Sequence, residues 1–163
     1  MDYHSILCFL IYILVGETHF GKVYFSNLSK GDNVEFLGRE TELRDIKEKL
    51  GSEQFEALLI YGRRRVGKSE LVKEAIKESG LDSIIYICLQ DILSENIKNL
   101  SNAVTSFFHD EFVQLNDLDS FLKYVFKKSE SQKFILFIDE YPYLAKKCRF
   151  FSTLIQKYAD HEW

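Results

Sequence analysis

Proline is almost absent from this chain: Pro142 is the only one in 163 residues, so no proline-rich linker exists. Cysteine is also scarce. Cys8, Cys88 and Cys148 are odd in number and far apart, which fits neither a disulfide framework nor a zinc site, whose ligands come in close pairs, and points to a reducing, cytoplasmic setting. His4, His19, His109 and His161 lack the i, i+4 spacing that sets two imidazoles on one helix face, so no transition metal is expected. Excess positive charge is missing too. A formal net charge of -4 disfavours a broad nucleic-acid surface, because unspecific affinity comes from Lys and Arg neutralising phosphates; a small basic patch stays open. Nor is there an apolar run near the roughly 20 residues that a membrane-spanning helix needs.

What is present is the composition of a globular protein: 46% hydrophobic and 28% charged residues lie far from the disordered and fibrous classes. The length suits one domain. Ser5 to Val15 (SILCFLIYILV) has the length of a signal-peptide core. However, Asp2 rather than Lys or Arg precedes it, and Gly16-Glu17-Thr18 follows in place of a small-x-small cleavage site. The alternatives are export, an extra strand or helix packed on the core, or a segment without a role in the fold. Membrane attachment through this run is the least favoured. The Gly-, Ser-, Asn- and Lys-rich stretch from Phe20 to Val34 reads as a loop, which divides the chain into residues 1–35, an atypical apolar segment and linker, and residues 36–163.

Beyond that loop, hydrophobic periodicity alternates between the two regular structures. Leu43, Ile46 and Leu50 predict an amphipathic helix from Glu40 to Leu50, stopped by Gly51. Phe55 to Tyr61 (FEALLIY) predicts a buried parallel strand. Leu71, Val72, Ala75 and Ile76 mark a helix ended by Gly80, and Ser83 to Leu89 a second strand. A helix from about Ser94, with Ser94 as N-cap, carries Ile97, Leu100, Val104 and Phe107 on one side. Another from about Asp117 carries Leu118, Phe121, Leu122, Val125 and Phe126, with Lys127 and Lys128 at its C-terminal end. Phe134 to Ile138 (FILFI) is a third strand, and a last helix covers about Phe150 to Tyr158. Strands apolar on every residue, alternating with helices, predict a parallel sheet covered on both faces. No internal repeat or low-complexity tract occurs.

Gly62-Arg63-Arg64-Arg65-Val66-Gly67-Lys68-Ser69 matches G-x-x-x-x-G-K-[ST] at every fixed position. With glycine at about 7% of average usage, chance would produce this roughly once in two hundred chains of this length. The chemistry explains the spacing. Such a loop turns successive backbone N–H groups toward a phosphate, glycines permit the turns and the close approach, and the head of the next helix favours the same anion. Lys68 would reach the β and γ phosphates of a nucleotide, most reasonably ATP, and Ser69 would offer its hydroxyl to Mg²⁺. Arg63, Arg64 and Arg65 either contact phosphate or are simply solvated. Asp139, at the carboxyl end of the third strand, is placed to hold Mg²⁺; Glu140 could orient or deprotonate an attacking water. In an open α/β sheet both ends converge on the ligand side. Without the loop upstream, Asp139-Glu140 would read as the start of a turn.

Phe36-Leu37-Gly38-Arg39-Glu40-Thr41-Glu42-Leu43, Tyr61 to Ser69, and Phe137-Ile138-Asp139-Glu140-Tyr141-Pro142-Tyr143-Leu144 together resemble the archaeal-type P-loop ATPases of the AAA+ and STAND-like group. The resemblance covers about Phe36 to Trp163. It implies a P-loop NTPase three-layer α/β sandwich with a parallel sheet, in which the segment with Leu37, Gly38 and Arg39 borders the adenine end of the site. It further implies Lys68 and Glu140 as catalytic side chains, with Asp139 and Ser69 (the Walker B and Walker A positions) on the metal. Family members are cytoplasmic switches or motors, often with a DNA-associated winged-helix domain, and self-association or a protein partner is possible for them. They continue past the Asp-His-Glu-Trp region into a strand with a polar sensor residue, a helical lid and a C-terminal domain. The expectation is therefore a partial domain, truncated after the third or fourth core strand. It would bind nucleotide, hydrolysis belonging to the complete family domain and a non-hydrolysing switch being the alternative.

Overall fold

The structure is a computed structural model that describes residues 8–14, 39–53, 55–61, 65–90, 92–110, 112–148 and 150–159. In chain order the elements are β1 (Cys8–Leu14), α1 (Glu40–Leu50), β2 (Glu56–Tyr61), α2 (Lys68–Ser79), β3 (Ser83–Ile87), α3 (Leu93–Phe107), α4 (Leu118–Ser129), β4 (Phe134–Asp139), α5 (Pro142–Ala145) and α6 (Phe151–Ala159). The strands form one parallel sheet in the order β2-β1-β4-β3. The α/β class with a parallel sheet, read from the alternation of elements, is thus what the chain adopts.

The apolar N-terminal run enters as a central strand. Phe9 to Leu14 pair with Glu56 to Tyr61 on one side, and Cys8 to Tyr12 pair with Phe134 to Ile138 on the other. Of the alternatives left open for Ser5 to Val15, the extra strand is the one found. It joins the same sheet as β2 and β4, although the sequence divides between residues 35 and 36. Residues 15–38 lie outside the described residues.

β4 shows how the sheet organises the core. All six of its residues are buried, and alternation across the strand sends them to opposite faces. Phe134, Leu136 and Ile138 join Leu100, Val104, Phe121, Leu122 and Phe151 of α3, α4 and α6. Ile135 and Phe137 join Ile46 and Leu50 of α1 and Leu71, Val72, Ala75 and Ile76 of α2. The side chains that marked α4, namely Leu118, Phe121, Leu122, Val125 and Phe126, are all buried, each contributing roughly 1.5 to 3 kcal/mol by removal from water. Phe126 also stacks on Tyr158 of α6, ring centroids 5.6 Å apart.

Coverage of every strand on both faces does not hold. Ile85 and Ile87 of β3 are 44% and 55% exposed, and Leu59 of β2 is 39% exposed. The reason is topological: β2 and β3 are the two edges of the sheet, and each layer of helices leaves one edge strand open. A second correction concerns α3, which starts at Leu93 after Ile92 rather than being capped by Ser94. Asn96, fully buried, accepts from the Leu89 amide at 2.7 Å and donates to the Leu89 and Ile92 carbonyls at 2.8 and 2.9 Å. That side chain clamps the preceding turn and so fixes the helix start. α4 is capped by Asp117 in a reciprocal pair with Ser120, whose amide donates to Asp117 Oδ1 at 2.8 Å.

Candidate nucleotide site

Parallel pairing brings the carboxyl ends of β2 and β4 to one edge of the sheet, with β1 between them: Leu14 stands opposite Tyr61, and Tyr12 opposite Ile138. At about 4.8 Å per strand the two ends are about 10 Å apart. The loop after β2 and the acidic pair after β4 therefore open on the same side.

Within the loop, Gly62, Arg63 and Arg64 lie outside the described residues, as do Leu37 and Gly38. Arg65 and Gly67 both have left-handed backbone, at φ 62° and 74°, while Val66 between them does not. Alternation of hand in successive residues turns neighbouring amides inward and is the geometry of an anion-binding nest. Gly67 is the N-cap of α2 and provides no side-chain cap, so no side chain of the cap residue competes for the helix's leading N–H groups. The Arg65 side chain is exposed.

Lys68 opens α2 and is only 6% exposed. Burial pushes its pKa down; the negative charges of Glu140 and then Asp139 oppose that, and Arg39 adds to the lowering. Ser69, half-buried, is the next helical residue. Asp139 is buried, and its Oδ1 accepts from the Glu140 amide at 2.8 Å, which fixes the carboxylate's rotation. Glu140 itself sits at φ 52°, a left-handed conformation that a side chain adopts at a cost of order 1 to 2 kcal/mol. The Asp139 carbonyl accepts from the Cys88 amide at 3.0 Å, and burial, then Asp139 and Glu140, push the Cys88 thiol up to about 12.

Hard oxygen donors at Ser69 and Asp139 suit Mg²⁺, which takes few protein ligands and completes its shell with phosphate oxygens and water.

Arg39 was expected at the adenine end. Its side chain is 3% exposed and donates through Nη2 to the Val66 carbonyl of the phosphate loop, a contact between residues 27 apart. Sequence reading missed this contact and the Asn96 clamp. Neither leaves a periodic signal, since each is a single polar side chain serving a distant or preceding backbone turn.

An α/β domain with a parallel sheet and a glycine-bounded loop running from strand to helix falls in the phosphate-loop class of ATPase domains. Residues 36–161 match the family described as an ATPase domain predominantly from Archaea, and the chain belongs to that family. An uncharacterized protein of Methanocaldococcus jannaschii is 29% identical over 125 residues, a stretch that covers 77% of this chain and 26% of that relative. The chain thus spans about a quarter of the length of the relative it matches. No solved structure matches it. Among the described residues no helix is long and apolar enough to cross a membrane.

Proposed function

We propose that the chain binds ATP with Mg²⁺ in the loop Gly62 to Ser69 and hydrolyses its terminal anhydride, within a P-loop sandwich of the AAA+ type. The observation that carries this reading is the placement of Lys68: buried at the head of α2 after β2, on the same edge of the parallel sheet as Asp139 at the end of β4. A cation there would neutralise charge growing on the β and γ phosphates. The left-handed positions at Arg65 and Gly67 support amides turned toward an anion. Ser69 and Asp139 would hold Mg²⁺, which when bound supplies charge neutralisation on the phosphate oxygens. Glu140, one residue beyond the metal position, would accept a proton from the attacking water.

Phosphate release from Mg-ATP tests the proposal. Glu140→Gln is expected to lower the rate by a factor of about 10² to 10⁴, the usual range for a general base, while the Mg-ATP-dependent rise in melting temperature persists. Equal rates for the two chains would remove the catalytic assignment. No rise in melting temperature at millimolar Mg-ATP would remove binding as well.

A further inference from the structure

Arg39 terminates the segment before α1, and its carbonyl accepts the first helical bond from Leu43 at 2.9 Å. Its guanidinium reaches the other way, onto the Val66 carbonyl. A Cβ built on Gly67 would lie 3.9 Å from Arg39 Nη1, so the guanidinium packs directly against the Val66–Gly67 peptide. From this anchor α1 and α2 run side by side in the same direction to Lys47 and Glu78, paired at 2.5 Å.

In a trans peptide the C=O and the following N–H point in opposite directions. Fixing the Val66 carbonyl on Arg39 therefore also fixes the Gly67 N–H, turned away from the guanidinium. Glycine occupies both signs of φ with similar ease, which leaves this peptide able to flip. A flip would exchange a donor for a carbonyl dipole, and a carbonyl oxygen repels an anion.

We infer that Arg39 is a positioning residue for the polyphosphate part of the ligand: it locks the Val66–Gly67 peptide with its donor toward the phosphates. This rests on the phosphate-loop reading above. It differs from a role at the base, because the contact is with the loop backbone.

The test is calorimetric titration of the full chain with three probes: Mg-ATP, inorganic Mg-tripolyphosphate, which has no base, and adenosine, which has no phosphate. Arg39→Ala is expected to weaken Mg-ATP and Mg-tripolyphosphate by the same factor, about tenfold for one charge-assisted hydrogen bond, and to leave adenosine unchanged. Methylguanidinium at millimolar concentration is expected to restore part of the loss in Arg39→Ala and to do nothing for the unaltered chain. A merely structural role would not produce that rescue. Should Arg39→Ala fail to fold, Arg39→Lys carries the same comparison, with an equal but smaller loss on the two phosphate probes. Three results would overturn the inference: unchanged tripolyphosphate affinity, a loss confined to adenosine and ATP, or a folded variant indifferent to methylguanidinium. An unaltered chain that binds neither phosphate probe would instead overturn the phosphate-loop reading on which it rests.

Discussion

Replacing Asn96 by alanine should destabilise the protein by about 3 kcal/mol, a magnitude that follows from its partners. The side chain is fully buried and engages the Leu89 amide, the Leu89 carbonyl, the Ile92 carbonyl and the Tyr86 hydroxyl, all within 2.9 Å. Two of these losses are softened. Ile92 O still accepts from the amide of residue 96 at 3.1 Å, and Tyr86 is only half-buried, so its hydroxyl can turn to water. The two backbone groups of Leu89 bear the main cost, at about 1 to 2 kcal/mol each for a donor or acceptor left unpaired. For a domain of this size that corresponds to a fall in melting temperature of roughly 10 °C. Asn96→Asp should do no better, since a carboxylate keeps an acceptor for Leu89 N but faces the Leu89 and Ile92 carbonyls without a donor. Thermal melts followed by circular dichroism measure both. An Asn96→Ala chain that melts within about 1 °C of the unaltered protein would refute the reasoning.

Gly67→Ala and Gly80→Ala form a matched pair, since both glycines sit at left-handed φ, 74° and 67°, and neither Cβ would clash. Each should lose about 1 to 2 kcal/mol from backbone strain, but only Gly67→Ala should also lose the melting-temperature rise with Mg-ATP. In a Cys8→Ser background at about pH 8, an aromatic disulfide reagent should modify half-buried Cys148 and spare Cys88, whose thiol is buried and pushed up to about 12. Because that folded value lies above the ordinary 9.0, the Cys88 contribution to stability is complete below about pH 9 and is lost as pH rises toward about 12; urea melts of Cys88→Ala against the parent across that window should show the parent falling more steeply. A chain beginning at Asn33, lacking β1, should lose its cooperative melt and its response to Mg-ATP together; an unchanged melt would detach β1 from the sheet.

Most elements were legible because their signals are local. The stripes Leu71-Val72-Ala75-Ile76 and Phe121-Leu122-Val125-Phe126 announce helices whose buried faces are those very residues, and Gly80 closes α2 in the left-handed conformation that favours glycine. Likewise the spacing of Gly67, Lys68 and Ser69, followed seventy residues later by Asp139 at a strand end, marks the candidate site in residue type alone. The illegible part is relational. An apolar pentad such as Ile84 to Cys88 reads as buried on both faces whether its strand lies at the centre or at an edge; only strand order decides, and β3 ends the sheet beside β4. For the same reason Arg39 gives no hint of its destination: a guanidinium one residue before a helix has the same local pattern whether it points to solvent, to a base or to a loop 27 residues away.

The insertion of β1 has a physical consequence for the site. If β2 and β4 were direct neighbours, the phosphate loop and Asp139 would start about 5 Å apart at the sheet edge; with one strand between them the separation is about 10 Å. On the proposed function, a triphosphate and a hydrated Mg²⁺ would fit in that interval, with Lys68 on one bank and Asp139 and Glu140 on the other. Every residue of this arrangement belongs to the span matched by the ATPase family, residues 36–161, whereas the strand that sets the interval, Cys8–Leu14, lies before it. The width of the site is therefore held by backbone pairing on both edges of β1. Within β1, that role depends on extended geometry and on amides that donate to the ladders. A proline in the middle of β1, at Ile11, would remove a ladder donor from a central strand, and it should mimic the deletion where a conservative change such as Ile11→Val would not.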